Sequence, residues 1–223
     1  MTAVDVLHVV ACADQPDLAR TCLSATERAH AKRIANTAAR ALYISAHETL
    51  RRALAERLDI APRRVPIVAG WNGRPELAEG ARPSFNLSHS GGRAIIAICD
   101  EGDVGVDIER QRPRRSASRL AERLFAEEER TALAALEPAC FSLAFTELWT
   151  LKEAFIKATG EGLARPLNSF AIDWTVPRLV RGQGDADWVL DTLPVGPGYR
   201  AALAIRGASS CSVTHKIAKP LQS

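Results

Sequence analysis

Two successive blocks of sequence, each with helical segments followed by strand-length apolar runs, predict a mixed helix-and-strand fold in two halves. In the first block good helix formers run from Ser24 to Leu58 and strand-like runs follow between Val65 and Glu109. In the second the same order returns, with helices between Ser118 and Thr159 and strands between Phe170 and Lys216. No residue-level repeat accompanies this order, so any duplication lies in the architecture. The third observation is Val104-Gly105-Val106-Asp107-Ile108-Glu109, where a strand turns Val104, Val106 and Ile108 one way and Gly105, Asp107 and Glu109 the other. The 223 residues can bury an ample core as one large domain or two small ones. The expected division is 1–109 and 110–223, at the basic run Arg110-Gln111-Arg112-Pro113-Arg114-Arg115.

The elements follow in order. Val4 to Ala11 reads as a strand ended by a turn at Asp14-Gln15-Pro16. Ser24-Ala25-Thr26-Glu27 has capping-box spacing, and the long helical stretch after it breaks near Asn36-Thr37. In its second helix Tyr43, Leu50, Leu54 and Leu58 form an inward stripe, while Arg40, His47 and Arg51 line a neighbouring stripe about 60° further round. That basic stripe is either a solvated face or an anion-binding one. Val65 to Ala69 is a short strand, and Trp71-Asn72-Gly73-Arg74-Pro75 is a turn with Arg74 at its tip. Ser84 to Leu87 and Arg93 to Cys99 read as strands joined by the tight polar connection Ser88-His89-Ser90-Gly91-Gly92.

Beyond the basic run, Ser118 to Leu124 and Glu127 to Leu136 read as short helices, with Pro138 ending the second. Phe141 to Thr159 is a helix whose core side carries Phe141, Ala144, Phe145, Leu148, Leu151 and Phe155, and whose other side carries Trp149, Glu153 and Lys157. Phe170 to Val176, Trp188 to Leu193, Tyr199 to Ile205 and Cys211 to Lys216 read as strands.

Composition narrows the function. A net charge of +3 and a pI of about 8.7 are too weakly basic to announce a nucleic-acid binder, and they suit an anionic substrate or an acidic partner. Five scattered cysteines without a Cys-x-x-Cys pair read as reduced thiols, and no run reaches the roughly 20 apolar residues of a membrane span. Both point to a cytoplasmic protein with no membrane partner.

Three places carry candidate chemistry. Asp107 and Glu109 share one strand face, which suits either a divalent cation such as magnesium, with Gly105 leaving room for a ligand, or an ordinary edge strand with an acidic outer face. The turn at Ser88 to Gly92 offers backbone donors and the His89 side chain to an anion, or is merely a hairpin. No Gly-x-Ser-x-Gly elbow surrounds Ser88 or Ser90, which argues against a serine nucleophile. Glu153 and Lys157 make either a functional pair or an exposed ion pair one turn apart.

Together these stretches resemble one family. Gly73-Arg74-Pro75, Phe85-Asn86-Leu87-Ser88-His89-Ser90, the Gly105-x-Asp107-x-Glu109 strand and Trp149-x-x-Lys152-Glu153-x-x-x-Lys157 resemble, in that order, the motifs of the 4'-phosphopantetheinyl transferases. Leu124-Phe125-Ala126-Glu127-Glu128-Glu129 resembles a further family segment, with Leu and Ala substituted and Glu129 taken as its glutamate. At 223 residues the chain resembles the longer, monomeric, surfactin-synthetase-activating class of secondary metabolism.

The resemblance implies an α+β fold of two similar subdomains related by a pseudo-twofold axis. Each would be a small, mostly antiparallel sheet packed with helices, with coenzyme A in the cleft between them. It implies Asp107, Glu109 and Glu153 as magnesium ligands, with Glu153 also the candidate base and Lys157 stabilising charge on the diphosphate. Ser88 and His89 would hold the 3'-phosphate with Arg74 beside them, Lys152 would belong to the substrate wall, and Arg40, His47 and Arg51 would help bind the nucleotide or its phosphates. The implied reaction moves 4'-phosphopantetheine from coenzyme A to a serine of an apo acyl, peptidyl or aryl carrier protein and releases 3',5'-adenosine bisphosphate. The run from Arg110 to Arg115 is expected to form part of the carrier contact. Two other readings use the same residues: a basic interaction module binding acidic partners without catalysis, and a different magnesium-dependent phosphoesterase acting on water.

Overall fold

The computed structural model describes residues 1–11, 18–19, 21–70, 73–112, 116–182, 184 and 186–218. The turn expected at Asp14-Gln15-Pro16, the pair Trp71-Asn72 and the segment Pro113-Arg114-Arg115 lie outside the described residues.

Strand β1 (Thr2–Val10) is followed by α1 (Ala25–Arg33), which opens with the expected capping box: the Ser24 hydroxyl accepts from the Glu27 amide, and the Glu27 carboxylate accepts from the Ser24 amide at 2.7 Å. Asn36 then starts α2 (Thr37–Leu58), its side-chain oxygen accepting from the Ala39 amide, so the helical stretch divides where its sequence indicates. Strands β2 (Ile67–Ala69) and β3 (Pro75–Leu77) pair with each other. Next come β4 (Ser84–Ser90) and β5 (Arg93–Cys99), a hairpin closed by Gly91-Gly92, where Gly91 supplies the positive φ of 61°. Ser88-His89-Ser90, expected in the tight polar connection between two strands, is therefore strand.

The chain continues through β6 (Asp103–Arg110), α3 (Ala117–Leu124), α4 (Glu127–Ala134), α5 (Pro138–Thr159), β7 (Ala171–Asp173), β8 (Arg178–Arg181), β9 (Trp188–Thr192), β10 (Tyr199–Arg206) and β11 (Cys211–Ile217). Pro138 opens α5 instead of closing α4, because at the first helical position its missing N–H has no partner to lose.

The architecture is α+β. One sheet has the order β11-β1-β5-β4 and a second the order β6-β10-β9, all antiparallel except the β1–β11 pair. These pairings do not follow the expected division at residue 109. Strand β6 belongs with β10 through the pair Tyr199↔Arg110, and β11 returns the end of the chain to the first sheet.

Between the sheets lies one core, in which Val4, Val6, Ile95 and Ala97 meet Val104, Val106, Ile108, Leu203 and Ile205. Helix α2 covers the outer face of the first sheet, with Leu42, Leu50 and Leu54 on Ile96 and Ile98. Helix α5 covers the outer face of the second, where Leu148, Leu151 and Phe155 pack with Ala202 and Ala204. Each such large apolar side chain, fully buried, contributes about 1.5–3 kcal/mol. The order is thus helix, sheet, sheet, helix, and the face of β6 that carries Asp107 looks toward α5. Among the described residues no helix is long and apolar enough to cross a membrane.

Candidate active site between β4, β6 and α5

The edge of β6 that faces β4 is joined to it by side chains instead of a backbone ladder. Ser84, Asn86, Ser88 and Ser90 point at β6 from alternate positions of β4, and their oxygens accept from the amides of Val104, Val106, Ile108 and Arg110 at 2.9–3.3 Å. The carbonyls on the same stretch of β6 are taken by cations: Val104 by Arg74 at 2.9 Å and Val106 by Lys157 at 3.1 Å. A seam of this kind satisfies the strand's polar groups while leaving side chains on both strands near one another.

Asp107 sits at the middle of the seam, 5% exposed. Its Oδ1 accepts from the Lys157 ammonium at 2.6 Å and from the Ser88 hydroxyl at 2.8 Å, while its Oδ2 is buried with no hydrogen-bond partner. Burial pushes the Asp107 carboxyl above its ordinary value, and Glu109 adds to the effect against the pull of Lys157 and Ser88. Glu109 accepts from the Ser90 hydroxyl at 2.9 Å. Glu153 comes from α5, one turn before Lys157. Its carboxyl is also raised, by burial first and then by the charges of Asp107 and Glu109, with Lys157 opposing.

The structure thus brings Asp107, Glu109, Glu153, Lys157 and Ser88 into one electrostatic neighbourhood. It does not gather a ready cage: among the described residues no group of three or more His, Cys, Asp or Glu side chains is placed to hold a metal by itself. Magnesium asks for less than a cage, because it keeps several waters and binds through one or two carboxylates plus substrate phosphates. The buried, unpartnered Oδ2 of Asp107 beside two further carboxylates fits such a cation.

Gly105 has a different task from the one its place suggested. A Cβ there would lie 2.1 Å from the Ala154 carbonyl oxygen and 2.5 Å from the Ala158 nitrogen, so the missing side chain makes room for the backbone of α5. That close approach carries Lys157 to the seam.

Other candidates fall elsewhere. Lys152, expected on the substrate wall, is 0% exposed. Its ammonium contacts both Glu129 oxygens at 2.6 and 2.7 Å and the Phe170 carbonyl at 3.0 Å, over the Phe170 ring. Glu129 also accepts from the Ala126 and Ile172 amides at 2.8 Å, so the pair is an internal joint between α4, α5 and β7. The residue beside Glu153 in sequence is turned inward by the helix, and a charge so placed must be paired.

Arg74 donates to the carbonyls of Phe85, Val104 and Lys157, and so ties the β3 end of the chain to β4, β6 and α5. Ser88 is 7% exposed, its oxygen engaged by Asp107, Lys157 and Ile108. His89, on the opposite side of β4, is exposed.

On α2, Arg51 is 2% exposed and held by Glu27 at 2.6 Å and by the Pro62 and Val65 carbonyls at 3.1 Å. It serves the packing of α1 on α2 and not an open anion site. His47 lies 3.3 Å from Glu27 and against the Tyr43 ring, with centroids 4.0 Å apart. Arg40 is half-buried with its Nε unpartnered.

Sequence reasoning missed Ser90 and Asn86 as parts of the site. The signal was present, in four hydrogen-bonding residues at every second position of one strand. On a two-residue period such a row must face a single partner.

Residues 103–204 match the family model described as the 4'-phosphopantetheinyl transferase superfamily. The 4'-phosphopantetheinyl transferase HetI of Nostoc sp. is 33% identical over 202 residues, covering 87% of this chain and 84% of the relative. AcpT of Salmonella typhimurium, of the same name, is 39% identical over 142 residues, 61% of this chain and 72% of that protein. Sfp of Bacillus subtilis is 33% identical over 135 residues, 59% of this chain and 58% of Sfp.

Proposed function

The chain belongs to the 4'-phosphopantetheinyl transferase family, and from that membership we propose that it transfers 4'-phosphopantetheine from coenzyme A to a serine of an apo carrier protein, releasing 3',5'-adenosine bisphosphate. The observation that carries this reading is the meeting of Asp107 and Glu109 on β6 with Glu153 and Lys157 on α5, at a seam of one buried and two half-buried carboxylates where burial and acidic neighbours raise the proton affinity of Asp107 and Glu153.

Asp107, Glu109 and Glu153 would hold magnesium, which when bound neutralises charge on the diphosphate and orients it. The protein's own groups do the rest. Glu153, its carboxyl raised by burial and by its acidic neighbours, is suited to accept the proton of the attacking serine hydroxyl. Lys157 supplies a flexible cation for the developing negative charge, and its ammonium already reaches the seam. Arg74 fixes the strands and the helix relative to one another. His89 and Arg40 would meet the nucleotide end; His89 is exposed and Arg40 has its Nε unpartnered.

The partner would be an acyl, peptidyl or aryl carrier protein approached through the basic segment at Arg110 and Arg112, and the enzyme a cytoplasmic monomer serving secondary metabolism. The net charge of +3 supports an acidic partner.

Chromatography of the nucleotide products tests the reading against hydrolysis. Release of 3',5'-adenosine bisphosphate is expected only when apo carrier, coenzyme A and magnesium are all present. Release at the same rate without carrier would mean that water is the acceptor and would replace the transferase by a phosphoesterase.

A further inference from the structure

We propose that Ser88 and Ser90 are positioning residues for the carboxylates of β6, so that β4 orients Asp107 and Glu109. The inference rests on the reading of those carboxylates as the cation site, and it adds Ser90 to the machinery and gives Ser88 a positioning task.

The geometry repeats. Each serine accepts from the amide twenty residues on and donates to the carboxylate nineteen residues on: Ser88 to Ile108 N and Asp107, Ser90 to Arg110 N and Glu109. A hydroxyl has one proton and two lone pairs. Once an amide on β6 engages a lone pair, the proton is directed at the side chain of the preceding residue, which on these two rungs is a carboxylate. The main chain of β6 thereby fixes each hydroxyl, and each hydroxyl fixes a carboxylate. At Asp107 this selects which oxygen is spent: Oδ1 takes Ser88 and Lys157, and Oδ2 is left buried and unpartnered.

The other two rungs of the seam are a built-in control. Ser84 and Asn86 accept from Val104 N and Val106 N in the same way. The residues before those amides are Asp103, which pairs with Arg82 at 3.3 Å, and Gly105, which has no side chain. The row therefore separates joining the strands, done by all four residues, from orienting carboxylates, done by two.

The test compares Ser90→Ala, Ser90→Thr and Ser84→Ala. Thermal unfolding and the affinity of the full-length protein for Mn²⁺, read from the electron paramagnetic resonance signal of the free ion, are both measured. Both alanine variants remove one acceptor from a β6 amide and are expected to lower Tm alike. Only Ser90→Ala is expected to weaken Mn²⁺ binding, by about tenfold, as loss of an orienting group around a metal ligand does. Restoring the hydroxyl in Ser90→Thr is expected to return the affinity to within about twofold of the unmodified protein. Unchanged affinity in Ser90→Ala, with binding abolished in Asp107→Asn, would overturn the positioning role alone. Equal weakening in Ser84→Ala would overturn it too, since strand joining would then account for the effect. Mn²⁺ binding that Asp107→Asn leaves intact, or none in the unmodified protein, would remove the cation site and this inference with it.

Discussion

Glu27 shows how much one side chain can hold. It closes the capping box of α1, accepts from Arg51 at 2.6 Å and lies 3.3 Å from His47. Burial pushes its carboxyl up, but His47, Arg51 and the Ser24 amide together outweigh burial and hold it down at about 2, against an ordinary 4.5. A carboxyl depressed in the folded state adds stability that is present above pH 4.5 and disappears as pH falls through about 2. The difference corresponds to about 3 kcal/mol. Glu27→Gln is therefore expected to lower the unfolding free energy by about that amount at pH 7, and the gap from the unmodified protein should close as denaturation is repeated from pH 4.5 toward pH 2. A gap constant with pH would show that the ion pair is not its source. The capping box was legible because its spacing is local; the Arg51 contact was not, because it joins residues 24 apart on two helices. The same non-local packing turned Arg51 inward from a stripe that looked solvated.

At the scale of elements, α5 and β6 form the working unit. The periodicity of α5 placed Leu148, Leu151 and Phe155 in the core and set Glu153 and Lys157 on another side, and alternation along β6 put Asp107 and Glu109 together. Both periods are local properties and could be read directly. Lys152 could not, since a lysine beside Glu153 reads as surface until Glu129 arrives from α4 to pair with it. Nor could the length of β4, whose Ser88-His89-Ser90 has turn-like composition and becomes strand through the partners it finds on β5 and β6. Gly105 was singled out for the right property, absence of a side chain, and its neighbour turned out to be a helix. Gly105→Ala is expected to destabilise the protein by about 3 kcal/mol in chemical denaturation, because the added methyl meets backbone that cannot swing aside. Activity should fall by about a hundredfold in the fraction that folds, since α5 carries Glu153 and Lys157 away from β6. Full activity in a variant with unchanged stability would mean that the approach of α5 to β6 is looser than 2.1 Å implies.

Across the whole molecule, the order of helices and strands marked two halves, while the sequence held no sign that β11 would leave the second half to pair with β1. Strand pairing over such a separation is decided by which edge is left open, and that is settled only when both sheets exist. The result places β4 of one sheet against β6 of the other, and the candidate site lies at that junction with α5 closing it. Chemistry at such a junction should depend on groups from both sheets and from the helix acting as one. Intact mass of an apo acyl or peptidyl carrier protein, after incubation with this protein, magnesium and coenzyme A, reads that dependence directly. The expected result is a gain equal to one phosphopantetheine on the carrier, absent with EDTA and slowed by about a hundredfold or more in Glu153→Gln. No gain on any of several carriers, with coenzyme A left intact, would contradict the transferase and return the acidic strand to a structural role.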